Sequence, residues 1–241
     1  MSSDDVYVRR VREALKVRPV LPFGLPIEIG AIGIVKGNEF DRRGTAASVL
    51  GTEAGETITA ENKSDWSLTS GHDVQIRFLA SGEASSLFPA VAPVDARVEL
   101  SFGSADSFVL SARGVRITTL KDPVALIGAI IDGFQRRVFK RDYVFVYQEV
   151  RCDQVLALLG RTKQTNLLLA AQAKVVSAGL ADLAGHFAVS HQTQDVTKLD
   201  GGGQVLFYNA YRVKESFWSG ETSVSTFETL GIPTEEVFEV A

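Results

Sequence analysis

Between residues 94 and 102 apolar and polar positions alternate. Val94, Ala96, Val98, Leu100 and Phe102 fall on one side, with Asp95, Arg97, Glu99 and Ser101 on the other. That period of two belongs to a half-buried strand. Residues 103–106 give a turn signal, after which Phe108, Leu110 and Ala112 alternate with Val109, Ser111 and Arg113. The pattern predicts one long hairpin over 94–117. A looser alternation over 73–80, with Val74, Ile76 and Phe78 on one side, predicts another strand. Residues 143–150 read as a buried strand, and 205–213 as a further strand entered through three glycines at 201–203. The apolar runs 155–159 and 167–173, joined by a polar connection, fit a second hairpin. Residues 167–184 fit a helix as well, because Ala, Leu and Lys dominate there, and periodicity leaves both readings open. Residues 41–72, rich in Gly, Thr, Ser, Ala and charge, are expected to form loop.

Two segments carry helical spacing. Near the start, Tyr7, Val11, Ala14 and Leu15 recur on one face, while Arg9, Arg12 and Lys16, at i, i+3 and i+7, share another. Asp4 and Asp5 precede the first turn, where carboxylates suit the helix dipole, and Pro19 and Pro22 end the element. The predicted helix covers residues 1–18. The second is headed by Asp122 and Pro123, with an apolar stripe of Val124, Ile127, Ile131, Phe134 and Val138 and a basic last turn. Strands outnumber helices, so the predicted class is α+β. The chain is expected to form a single domain over residues 1–241 ending in an acidic tail, 220–241.

Composition narrows what such a fold does. With 241 residues, 45% hydrophobic and 22% charged, the chain has the make-up of a folded globular protein. A net charge of −4 argues against general nucleic-acid binding. The single cysteine, Cys152, allows no internal disulfide and fits a reducing compartment. No apolar core of a secretory signal stands at the N-terminus, and no apolar run approaches the ~20 residues of a spanning helix. Membrane entry as β-structure stays open, because barrel strands carry only a weak alternating signal.

Catalytic chemistry is sparse. Nucleophile-elbow, phosphate-loop, zinc-helix and paired-cysteine motifs are all missing from the sequence. Glycines 201–203 lack the spacing of a dinucleotide loop. His186 and His191, five apart, would lie on opposite faces of a strand, which is poor for a metal. Ser70, His72 and Asp73 are neighbours in sequence, whereas triads are assembled across a fold. No catalytic, cofactor or metal residue is expected. What the sequence does offer is two basic clusters on an acidic chain: Arg9, Arg10, Arg12, Lys16 and Arg18, then Arg136, Arg137, Lys140 and Arg141. A solvated helix face explains the first and dipole compensation part of the second. Contact with an anionic lipid surface explains both, at roughly 1 kcal/mol per cation.

The order of these features resembles the pore-forming domain of the gasdermin family. The basic helix is followed by PFGLPIEIGAIGIVKGNEF, then by VELSFGSADSFVLSARGVRITTL running into the capped helix. YVFVYQEVRCDQVLALLG, an apolar region and the late VLFYNAYRVK complete the series, which spans most of the chain. The resemblance implies a cytoplasmic α+β protein, with a twisted, mainly antiparallel central sheet and flanking helices, that moves to the inner face of the plasma membrane. There, stretches around the central helix refold into amphipathic β-hairpins, and many subunits close into a lethal pore. It implies that the two basic clusters read anionic phospholipid. It also implies that Val94, Val98, Leu100, Phe102, Phe108, Leu110, Leu156 and Leu158 enter the membrane. The partner would be further copies of the chain or a related chain. The sequence departs from the family in two ways: it is too short for a large repressor domain, and it has no cysteine near the N-terminus for acylation. That leaves the compact bacterial or fungal type, the latter linked to allorecognition, with the acidic tail expected to help hold the soluble state. The alternatives are a soluble lipid- or protein-binding β-rich module, and an enzyme whose site the sequence does not reveal.

Overall fold

The computed structural model describes residues 3–60, 63–71, 73–80, 82–88, 90, 96–105, 107–171, 180, 183–193, 196–215 and 222–226. Val94, His72, Trp218, residues 172–179 and the acidic tail beyond 226 lie outside them. The protein is mixed α+β with few helices, and every pairing among the described strands is antiparallel. It divides into two compact units. The first takes residues 1–16, 62–115 and 152–204; the second takes 17–61, 116–151 and 205–241.

The first unit holds helix α1 (Ser3–Leu15) and strands β5 (Ser64–Thr69), β6 (Val74–Leu79) and β7 (Arg97–Phe102). It also holds the front of β8 (Phe108–Leu120), then β10 (Gln154–Gly160), β11 (Thr165–Ala171), the short α4 (Leu183–His186), β12 (Phe187–Gln192) and β13 (Val196–Gly201). The strands form two sheets. One runs β5-β8-β10-β13 and the other β6-β7-β11-β12. Val98, Leu100 and Phe102 of one sheet pack with Val109, Leu156 and Leu158 of the other in a closed core. On the outer side of β8, Tyr7 of α1 meets Phe108 edge-on, ring centroids 5.1 Å apart, and Val8 and Val11 are buried beside it. Each such large apolar side chain stabilises by roughly 1.5–3 kcal/mol on burial.

Neither expected hairpin forms. β7 pairs with β6 and β11, whereas β8 pairs with β5 and β10. The connections β7–β8 and β10–β11 therefore each cross from one sheet to the other. Alternation fixes which residues share a face, but not which strand lies alongside. β10 shows why a half-exposed hairpin is excluded: residues 155–160 are buried on both faces. At its end the two sheets approach closely, since a Cβ on Gly160 would stand 2.9 Å from the Phe102 ring.

The second unit is built on β9 (Tyr143–Arg151). β14 (Val205–Glu215) pairs along one edge of β9; on the other edge lie β2 (Ala31–Lys36) and the last part of β8, from Arg116. β3 (Glu39–Thr45) extends β2, β4 (Thr57–Thr59) flanks β8, and β1 (Arg18–Pro19) and β15 (Thr222–Thr226) pair with β14. Helices α2 (Ala46–Leu50) and α3 (Val124–Gln135) share a core with Ile32, Phe145, Tyr211 and Val224. A second core joins Val20, Ile27, Phe40, Val144, Val146 and Tyr208. The first described stretch of the acidic tail is thus a sheet strand, with Val224 buried.

Several sequence expectations are corrected here. Residues 41–72 hold most of β3 together with α2, β4 and β5 rather than loop. α2 is set by a reciprocal Thr45–Ser48 capping box and a left-handed Gly51, φ 76°. The first helix stops at Leu15, not 18. Lys16 takes φ 56° and its N–H returns to the Arg12 carbonyl at 3.1 Å, which turns the chain out of the helix. α3 lies where expected, with the Val124 N–H donating to Asp122 Oδ1 at 3.0 Å, but it buries a different face. Leu126, Ile127, Ile130 and Gly133 point inward, and Val124 is 72% exposed. A helix apolar nearly all round cannot declare its buried face by periodicity. Close approach decides it: a Cβ on Gly133 would stand 2.6 Å from Leu50 Cδ2 and 3.4 Å from Phe139 Cβ. Gly133→Val is accordingly expected to destabilise the second unit by about 1–3 kcal/mol. The readout is the urea midpoint, and an unchanged midpoint would place α3 away from α2.

Candidate lipid-contact site

α1 buries only part of the face expected of it, since Ala14 is exposed and Leu15 half-buried. Val6, Tyr7, Val8 and Val11 are buried, Arg9, Arg10 and Lys16 are exposed, and Arg12 is half-buried. Burial pushes the Tyr7 hydroxyl well above its ordinary pKa, so it stays neutral. On the outer face Arg10 Nη1 lies 3.6 Å from Glu13, an exposed pair contributing ~0–1 kcal/mol. Arg18 does not belong to this face. It is 3% exposed in β1, opposite Tyr208, and its Nη2 donates to the Gly37 carbonyl at 2.9 Å. Burial lowers its pKa from the usual arginine value, with Tyr208 opposing. A run of cations in sequence does not share one face once a left-handed residue interrupts it.

The α3 cluster keeps its cations outside. Arg136, Arg137, Lys140 and Arg141 are all exposed, with Val138 between them 42% exposed. The turn that carries them is firmly held. The Val138 and Phe139 N–H groups both donate to the Gly133 carbonyl, at 2.9 and 3.0 Å, and Arg137 takes φ 64°. Phe139 is fully buried and meets Tyr143 edge-on at 5.6 Å, with Lys140 Nζ 5.8 Å from the same ring. The helix C-terminus favours cations for a further few tenths of a kcal/mol. The result is a rigid tip presenting positive charge around an apolar side chain.

The strand residues stand differently. Val98, Leu100, Phe102, Leu156 and Leu158 are sealed between the two sheets of the first unit. Phe108 and Leu110 are equally buried, but on the opposite face of β8 from Val109, where Phe108 meets α1. Nor is the polar side of β7 in water. Glu99, expected there, is 3% exposed, and Arg97 is buried two residues away. Nothing in the sequence flags this, because a lone carboxylate between apolar positions reads as the wet side of a strand.

Other polar groups form no comparable constellation. His186 ends α4 beside the Arg113 guanidinium, and His191 on β12 stacks at a tilt on Phe88. Cys152 is buried. Among the described residues no cluster of three or more His, Cys, Asp or Glu has the arrangement of a metal site, and no helix is long and apolar enough to cross a membrane. No family model matches this chain, and none of the curated proteins compared with it matches either.

Proposed function

We propose that the chain is a gasdermin-like pore-forming protein. It docks on anionic phospholipid through the cations of α1 and the α3 tip, assembles with further copies and opens the membrane through amphipathic β-hairpins, leading to regulated cell death. The observation that carries the reading is the α3 tip: four exposed cations within six residues, surrounding an exposed valine, on a chain of net charge −4. Cations supply the long-range attraction, and the valine supplies apolar area for the headgroup boundary. The acting membrane would be the inner face of the plasma membrane, where anionic lipid is concentrated. A closed barrel would then satisfy the strand backbones in lipid.

Dye release tests the reading. Vesicles containing phosphatidylserine should leak on addition of the protein, and pure phosphatidylcholine vesicles should not. Equal leakage from both, or none from either, would reject it. Within the same assay, Arg9, Arg10 and Lys16 changed together to Glu should suppress release at least tenfold while leaving the unfolding midpoint unchanged, since all three are exposed. Release at the wild-type rate would remove α1 from the docking surface.

A second reading has one observation in its favour. Every described residue expected to insert is buried in the first unit, and a core so complete suits a β-rich module that binds lipid without refolding. Saturable sedimentation with phosphatidylserine vesicles, without dye release, is its signature.

A further inference from the structure

Residues 83–88 lie over the outer face of the β6-β7-β11-β12 sheet. One row of side chains crosses all four strands in register: Arg77 opposite Glu99, Glu99 opposite Leu168, Leu168 opposite His191. The segment is tied to that row at three points. At one edge, Arg77 Nη2 pairs with Glu83, and Glu83 Oε2 also accepts the Ala80 N–H at 3.1 Å. In the middle, Glu99 accepts four hydrogen bonds. Ser85 Oγ and the Ser86 N–H donate to Oε1, each at 2.6 Å; the Leu87 N–H donates to Oε1 at 3.3 Å, and Ser86 Oγ donates to Oε2 at 2.9 Å. At the other edge, Phe88 packs on His191 with centroids 5.9 Å apart. Leu168 is fully covered beneath.

We propose that residues 83–88 are a latch, closed by the Glu99 carboxylate, whose opening gates the departure of β6 and β7 from the sandwich. The gating rests on the pore-forming reading; the latch itself does not. A buried carboxylate is tolerable only while its lone pairs are filled, so closure is all-or-none. Once the two serines leave, Glu99 needs water, and water reaches it only if the segment lifts. The closed state also leaves one group unpaid: Arg97 Nη1 is buried without a hydrogen-bond partner, and opening would hydrate it. The two strands leave together because the latch ties β6, through Arg77, to β7, through Glu99. Arg77 Nη1 completes the tie, donating to Ser86 Oγ at 3.1 Å and lying 3.6 Å from Glu99.

The ionisation of Glu99 gives a second handle. Burial pushes its carboxyl up, but the bonds from Ser85, Ser86 and Leu87 outweigh this and hold it below the ordinary glutamate range. A depressed carboxyl contributes stability above the unfolded pKa and loses it as pH falls through the folded one. The latch therefore stays closed near neutrality and loosens only as pH falls below the ordinary glutamate range. The other ionisable groups facing Glu99 are Arg77 on β6, Arg97 on β7, His191 on β12 and Glu83 on the latch itself.

Amide hydrogen exchange with mass spectrometry, run beside dye release from phosphatidylserine vesicles, tests both parts. The variants are Glu99→Gln, which keeps the shape of the buried group, and Ser85→Ala with Ser86→Ala, which leaves the sheet untouched. Both should speed exchange across residues 83–88 at least tenfold, leave β8 and β10 unchanged and shorten the lag before release several-fold. Wild-type exchange over 83–88 in both variants would overturn the latch, whatever the vesicles do. Faster exchange with an unaltered lag would overturn the gating. Absence of release by wild type and variants alike would overturn the pore reading and the gating with it, while the exchange result would still decide the latch.

Discussion

Changing Arg136, Arg137, Lys140 and Arg141 together to Ala is expected to weaken binding to phosphatidylserine vesicles by two to three orders of magnitude. Each cation near an anionic surface contributes about 1 kcal/mol, so four contribute about 4, and roughly 1.4 kcal/mol is a factor of ten. The fold should survive. All four side chains are exposed, and the buried anchor of the turn, Phe139, is untouched. Arg136 Nε has a long bond to the Asp132 carbonyl at 3.4 Å, whose loss is minor. Sedimentation over a series of vesicle concentrations reads the change. Raised salt should shrink it, because exposed charges are screened within about 8 Å at physiological ionic strength. An unchanged partition coefficient would show that the tip is an ordinary solvated helix end.

The second large effect is on stability. Leu158→Asp is expected to remove the cooperative unfolding of the first unit at neutral pH. Leu158 is fully buried between the two sheets, among Val109, Leu156 and Leu169, and the cation opposite it on β13, Lys198, is exposed and paired with Asp200. An unpaired buried charge costs several kcal/mol, a large fraction of a domain's whole stability. Leu158→Ala supplies the graded comparison, at about 2–5 kcal/mol from lost transfer energy and the cavity left behind. Urea unfolding followed by far-ultraviolet circular dichroism reads both. A near-wild-type midpoint for the aspartate variant would mean that this side of β10 already faces water.

How far the sequence announced this structure depends on the kind of information each element carries. α3 and β9 were legible. One has Asp122 and Pro123 at its head, and the other opens on an apolar run over 143–147. The core face of β7 was legible too, since Val98, Leu100 and Phe102 do point together into a core, whereas on β8 the side that joins them is that of Val109, not of Phe108 and Leu110. Their partners were not, because alternation is identical for a hairpin and for strands that part into opposite sheets. α2 escaped notice because its capping box uses Ser48 where Glu or Gln is usual. The α3 tip could be read from charge alone. Arg18 could not be placed, since its fate turns on the left-handed conformation of Lys16. Glu99 had no signal at all: its ligands come from hydroxyls and N–H groups more than ten residues upstream, brought together only by the fold.

The crossing connections of the first unit have a mechanical consequence. β7 and β8 are joined through residues 103–107, and β10 and β11 through 161–164, while β7 lies beside β11 and β8 beside β10. The pairs β7–β8 and β10–β11 are arches set side by side, each with one strand in either sheet. Drawing one sheet straight off the other would pull at once on both of these and on β5–β6 and β12–β13, which also pass from sheet to sheet, so the sheets cannot part as plates. Any large rearrangement therefore has to carry strands of both sheets with it, whether a membrane or a denaturant drives it.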